Sequence, residues 1–203
     1  MPNLKNKPSL YYLLYRLGIC DALTQTTDAE QRCLLSHAQG RKQLVEIGVW
    51  HGVNTRHIRS VMSTDAVLYA VDPFFPGRWG IQWQKKIALL EAKKEQIGTV
   101  VWLEDLSEFA VKTFSTITQN PIDFLFIDGD HSYEGVKKDW ELWSPLVSVE
   151  GRIALHDSRS HSGRIIDNCG AARFTRDVIL KSPAFEVVDE VDSLTVVRKL
   201  TAK

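Results

Sequence analysis

The chain has 203 residues, 44% hydrophobic and 25% charged, with 25 basic and 25 acidic side chains and a formal net charge of zero. That length suits one substantial α/β domain with a small appendage, and zero net charge leaves no global basic field to attract nucleic acid or an anionic membrane. No apolar run reaches the roughly 18 residues of a membrane span, no signal-peptide apolar region is present, and three widely spaced cysteines without C-x-x-C predict reduced thiols and a cytoplasmic location.

Residues 1–40 read as a helical cap, separate from the remainder of the chain. Tyr12, Leu13, Tyr15 and Leu17 predict a helix that stops at Gly18. Thr27-Asp28-Ala29-Glu30 has the form of a helix start, with Cys33, Leu34 and Leu35 on the apolar side and Gly40 as the stop. This pair either covers a ligand site or plugs one end of a sheet. From 41 to 203, β-rich runs alternate with helical patterns. Strands are predicted at 44–47, 67–71, 100–103, 124–127 and 153–155, with helices at 54–63, 81–96, 106–118 and 133–147. A further helix near 170–181 precedes two strands, 185–188 and 194–198, whose short link predicts an antiparallel hairpin. Such alternation implies a mainly parallel sheet covered on both faces.

The first strand runs into Glu46-Ile47-Gly48-Val49-Trp50-His51-Gly52. Gly48 can take a conformation closed to other residues, Gly52 is expected to let a ligand approach the backbone, and Asn54 or Thr55 is expected to cap the next helix. The spacing E-x-G-x-x-x-G is not the dinucleotide loop G-x-G-x-x-G. The second strand ends in Asp72, 24 positions after Gly48. A carboxylate there either accepts ribose hydroxyls or caps the turn at Pro73. The fourth strand delivers Asp128, Asp130 and His131 to its C-terminal edge, and the fifth delivers His156, Asp157 and Ser158. In open α/β sheets that edge carries the ligand site.

The glycine turn resembles the first motif of class I S-adenosylmethionine (SAM) methyltransferases. The stretch FIDGDHSYEGVKKDWELWSPLVSVEGRIALHD is similar to the subfamily of macrocin-type sugar O-methyltransferases and cephalosporin-hydroxylase-like proteins. The resemblance covers about residues 42–200. It implies a Rossmann-like fold with a seven-stranded, mainly parallel sheet closed by an antiparallel hairpin. It implies SAM held by Glu46, Gly48, Gly52, Thr55, Asp72, Ser107 and Asp128, although Glu104 and Asp105 compete with Ser107 for adenine. It implies methyl transfer to an oxygen of a small hydroxylated acceptor, with His131, Asp128 and Asp157 catalytic. His131 is either a general base or a locally bonded residue at a helix start.

In relatives of this type a divalent metal, Mg²⁺ or another, sits on the positions of Asp128, His156 and Asp157. The macrocin-type enzymes have an acid where His156 stands. Imidazole suits Mn²⁺, Fe²⁺ or Zn²⁺ better than Mg²⁺, or His156 bonds Asp128 or Asp157 with no metal. The aromatic segment 74–83 either walls the site or packs as a loop, and the polar segment 158–167 is either a lid or a solvated loop. The expected partner is a small-molecule acceptor, not nucleic acid or membrane, and a homodimer is compatible. N-methyl transfer, or SAM or nucleoside binding without transfer, are the rival functions.

Overall fold

Alternating apolar residues decide which layer each side chain enters. In β4 (Ile122–Ile127), Phe124 and Phe126 point to one face of the sheet and Leu125 and Ile127 to the other, all buried. The computed structural model describes residues 7–201; positions 1–6 of the expected cap and positions 202–203 lie outside the described residues. The other strands are β1 (Gln43–Ile47), β2 (Val67–Val71), β3 (Thr99–Leu103), β5 (Val147–Leu155), β6 (Phe185–Val191) and β7 (Leu194–Lys199). They form one sheet in the order β3-β2-β1-β4-β5-β7-β6. The first five are mutually parallel, and β7 runs antiparallel to both β5 and β6. Strand order reverses between β1 and β4, so the crevice at their C-terminal ends is the natural ligand position.

The helices are α1 (Pro8–Arg16), α2 (Asp28–Ala38), α3 (Val53–Val61), α4 (Trp83–Ala92), α5 (Ser107–Ile117), α6 (Tyr133–Trp143) and α7 (Gly170–Asp177). One face of the sheet carries α5, α6 and α7 through Phe114, Trp140, Trp143 and Phe174. The other carries α2 and α3, with Cys33, Leu34, Ile58 and Met62 packed on Leu44, Phe124 and Val196. Thus α2 belongs to the sheet's own cover. The helix start expected at Thr27–Glu30 is present and is a capping box: Thr27 Oγ1 accepts from Glu30 N–H, and Glu30 Oε2 accepts from Thr27 N–H. Helix α1 packs on α4 instead, where Tyr15 donates to Glu91 Oε1 at 2.7 Å.

The junction of α6 and β5 differs most from the expectation. The helix expected over 133–147 ends at Trp143, because Pro145 cannot continue it, and a 3₁₀ turn over Ser144–Leu146 comes next. Strand β5 begins at Val147 rather than 153. Lys199 steadies that junction, its buried ammonium donating to the carbonyls of Ser144, Pro145 and Val147 at 3.0, 3.1 and 2.8 Å. No described helix is long and apolar enough to cross a membrane.

Candidate active site

The turn after β1 is built by close approach. Gly48 has φ +89°, and a Cβ there would lie 2.1 Å from the carbonyl oxygen of Asp128. Only a residue without a side chain lets the end of β4 run this close, so Gly48 sets where Asp128 emerges. Gly52 lets α4 come close: a Cβ on it would meet the Ala88 backbone at 2.9 Å. The expected helix cap is not made. Helix α3 begins at Val53 behind Gly52, while Asn54 accepts the Thr26 hydroxyl at 3.0 Å and Thr55 gives its hydroxyl to Glu46 Oε2 at 2.5 Å.

Glu46 is fully buried behind this turn, and its Oε1 has no hydrogen-bond partner. Burial pushes its pKa up to about 8; the Thr55 hydroxyl resists, and the Asp128 and Asp72 charges reinforce the rise. Asp72 faces the other way. Its Oδ2 accepts from the N–H groups of Val49 and Trp50, both at 2.9 Å, and its Oδ1 from Phe74 N–H at 2.7 Å. The carboxylate therefore shapes the glycine turn and still lines the cavity beside it.

That cavity, about 540 Å³, lies at the C-terminal edge over the β1–β4 reversal. This is the size range of small-molecule and cofactor sites. Gly48, Asp72, Ser107, Asp128 and His131 are on its wall; Glu46, Gly52, Thr55, His156 and Asp157 are not. Of the three residues that compete for adenine, Asp105 and Ser107 line it, whereas Glu104 does not and pairs with Lys85. Ser107 also accepts from Trp143 Nε1 at 2.8 Å. Leu23, Thr24 and Gln25, between α1 and α2, close one side, and Phe75 alone of the aromatic segment 74–83 reaches the wall.

Beyond one end of the cavity the β4 and β5 tips bring the acids and histidines together. His131 Nδ1 lies 2.8 Å from Asp157 Oδ2, and its Nε2 lies 3.7 Å from Asp128 Oδ1. His156 Nδ1 lies 2.8 Å from the same Asp128 oxygen, and its Nε2 lies 3.4 Å from Glu30 Oε2. The His156 side chain is wholly buried, yet neither nitrogen is aligned for a hydrogen bond, so these contacts are charge pairings. Burial opposes its charge, but the Asp128 and Glu30 carboxylates outweigh burial and hold its pKa at about 10. Glu30 responds in kind. Burial would raise it, but His156, Ser193 and the Thr27 N–H bring it down to about 2. Asp157 raises the pKa of His131, against burial, with help from Asp128.

Asp157 is committed elsewhere as well. Arg164 grips both its oxygens, at 2.5 and 3.1 Å, and the Ser193 hydroxyl reaches it at 3.4 Å. Burial opposes its charge, but His131, His156 and Arg164 keep its carboxyl below the ordinary range. Among the described residues the ligand atoms close enough to share an ion here come from Asp128, His131 and His156, all within 4.8 Å of one another. Asp157 is not in that group, so the set expected from the resemblance differs by one residue.

Three participants escaped the sequence reading. Glu30 is explained locally as a cap, and only the tertiary fold sends its Oε1 to the N–H and hydroxyl of Ser193 at 2.8 and 2.7 Å. Arg164 reads as loop charge. Asp139 left a signal: it sits on the apolar face of α6 with Val136, Trp140 and Trp143. It lines the cavity, and burial raises its pKa to about 6, partly offset by Ser107.

Residues 45–158 match a family model described as a methyltransferase domain. An O-methyltransferase from Bacillus cereus in complex with SAH has the same fold, with TM-score 0.64 and 17% identity over 98% of this chain and 92% of that one. TomG from Streptomyces achromogenes, an O-methyltransferase in complex with SAM, gives 0.63 and 12% over 96% and 89%. An rRNA methylase from Streptococcus thermophilus gives 0.54 and 12% over 85% and 95%. At these identities the likeness shows the fold: a Rossmann-like, seven-stranded sheet with an antiparallel C-terminal hairpin. The family match spans more than half of the sequence, and the chain belongs to this methyltransferase domain family.

Proposed function

We propose that the chain transfers the methyl group of SAM to an oxygen of a small hydroxylated acceptor. The observation that carries this reading is one cavity lined both by the Gly48 turn with Asp72 and by Asp128 with His131. In this reading the turn and Asp72 serve the cofactor and His131 the acceptor, with Asp128 against Gly48 between them. SAM brings a reactive sulfonium, so the protein must align the acceptor oxygen with the methyl carbon and handle a proton. The oxygen–carbon bond forms as the carbon–sulfur bond breaks, leaving S-adenosylhomocysteine, and the acceptor's proton passes to the His131–Asp157 pair. Asp157 orients the ring through Nδ1 and leaves Nε2 toward the cavity.

Zero net charge favours a small acceptor over RNA. The test is a screen of phenols, catechols and sugars with methyl-labelled SAM, run beside rRNA and amines. His131→Ala and Asp157→Ala should lose transfer while SAM affinity holds. Label on nitrogen or on rRNA would replace the acceptor assignment. If SAM binds and no acceptor is methylated, the chain is a binder.

A further inference from the structure

We infer that Asp128 Oδ1, His131 Nε2 and His156 Nδ1 form a site for one divalent first-row transition ion, such as Mn²⁺, Fe²⁺, Co²⁺ or Zn²⁺, and not for Mg²⁺. Both imidazoles aim one nitrogen at the same carboxylate oxygen, at 3.7 and 2.8 Å. Ligands bound at about 2.1 Å and roughly at right angles sit about 3 Å apart, and these three atoms, all within 4.8 Å of one another, are close enough to converge on one ion. His156 supplies an independent sign. Its ring is fully buried and faces two acids, yet it makes no aligned hydrogen bond with either. A buried ring without aligned partners is costly unless something else engages it.

The outer nitrogen of His131 is placed as in metal-bound histidines, its Nδ1 backing onto Asp157 at 2.8 Å, while the outer nitrogen of His156 faces the Glu30 carboxylate at 3.4 Å without an aligned bond. Carboxylates behind ligating imidazoles fix ring orientation and raise ligand basicity. Arg164 and Ser193 in turn pin Asp157, and Ser193 and Thr27 pin Glu30.

Magnesium does not fit this set. It prefers oxygen ligands in an octahedron, and here two of three donors are nitrogen while both oxygens of Asp157 belong to Arg164. Two histidines and one carboxylate with open positions is a set that borderline ions take. The inference rests on the proposed function only for what the ion would supply: held by Asp128, His131 and His156, it would lower the pKa of a nearby acceptor hydroxyl. Proton transfer to His131, as proposed above, applies to the metal-free chain.

Binding is measured on the full chain without SAM or acceptor, so its failure is separate from failure of methyl transfer. Metal-free protein is titrated with Co²⁺, followed by its visible absorption, and pulsed EPR on the Mn²⁺ form counts coordinated imidazoles. We expect one saturable Co²⁺ per chain, two imidazole couplings and no displacement by a hundredfold excess of Mg²⁺. His131→Ala and His156→Ala should each weaken Co²⁺ at least tenfold, and Glu30→Gln about tenfold. His131 lies partly exposed at the cavity wall, so its variant decides the matter if His156→Ala does not fold. Cys33, His37 and Asp189 form a second group that could hold an ion. Binding lost in Cys33→Ser but kept in His131→Ala would overturn the inference. So would no saturable binding, equal competition by Mg²⁺, or fewer than two coordinated imidazoles.

Discussion

Glu46→Gln tests whether the acid behind the glycine turn is stored as a neutral carboxyl. In the folded chain its pKa is about 8, against an ordinary 4.5, because burial strips water from the charged form. Between these values the folded state holds a proton that the unfolded state releases. Stability is therefore complete below pH 4.5 and falls as pH rises through 8. Each pH unit in that window removes about 1.4 kcal/mol, so the loss reaches about 3 kcal/mol at pH 7. Glutamine cannot ionise and keeps an oxygen for the Thr55 hydroxyl. It also places an amide where Oε1 has no partner, which shifts the whole curve by a constant. The diagnostic is thus the slope. Urea denaturation at pH 5, 6, 7 and 8 should show the variant gaining on the wild type by about 3 kcal/mol between pH 5 and pH 8. Parallel curves would refute the reasoning, because they would mean that Glu46 is solvated or paired in the fold.

The geometry carries four further outcomes. Gly48→Ala should cost roughly 2–4 kcal/mol in denaturant and abolish SAM binding, since the new Cβ meets the Asp128 carbonyl at 2.1 Å on a backbone with φ +89°. Asp72→Ala should weaken SAM by about 1.5–3 kcal/mol in calorimetry, while NAD fails to bind either form. Glu30 has a folded pKa of about 2, below its ordinary 4.5, so its contribution stands at neutral pH and disappears as pH falls through that interval. Thermal melts of Glu30→Gln should lose that part of the acid limb. Lys199→Met should cost about 2–4 kcal/mol by denaturant titration, because three carbonyls, those of Ser144 and Val147 in buried bonds, lose their shared donor.

The sheet was legible because its strands are short apolar runs set between helical periods. Strand β5 was half hidden: Ser148, Glu150 and Arg152 interrupt it, and only Ile153–Leu155 reads as a strand. The acid–histidine cluster was legible as paired acids and histidines at neighbouring strand tips. What it lacked was their support. Glu30 lies 163 positions from Ser193, and no local pattern reports a bond over that distance. Gly52 shows the same distance at work. A glycine near a ligand turn invites a functional reading, and its close neighbour in the fold is the backbone of a helix more than 30 residues later. Asp139 could have been found from the sequence, because an acid among Val136, Trp140 and Trp143 on an apolar helix face needs a reason.

The family match runs from 45 to 158, and Glu30, Arg164 and Ser193 all fall outside it. The shared stretch carries the glycine turn, Asp72 and the four residues of the acid–histidine cluster, while the groups that brace His156 and Asp157 come from both flanks. Exchange of either flank would therefore retune the acid–histidine cluster and leave the glycine turn as it is. An isolated 45–158 fragment would keep the turn and lose the braces, and a transplant of this chemistry onto another family member must carry α2 and the β7 approach along with the cluster.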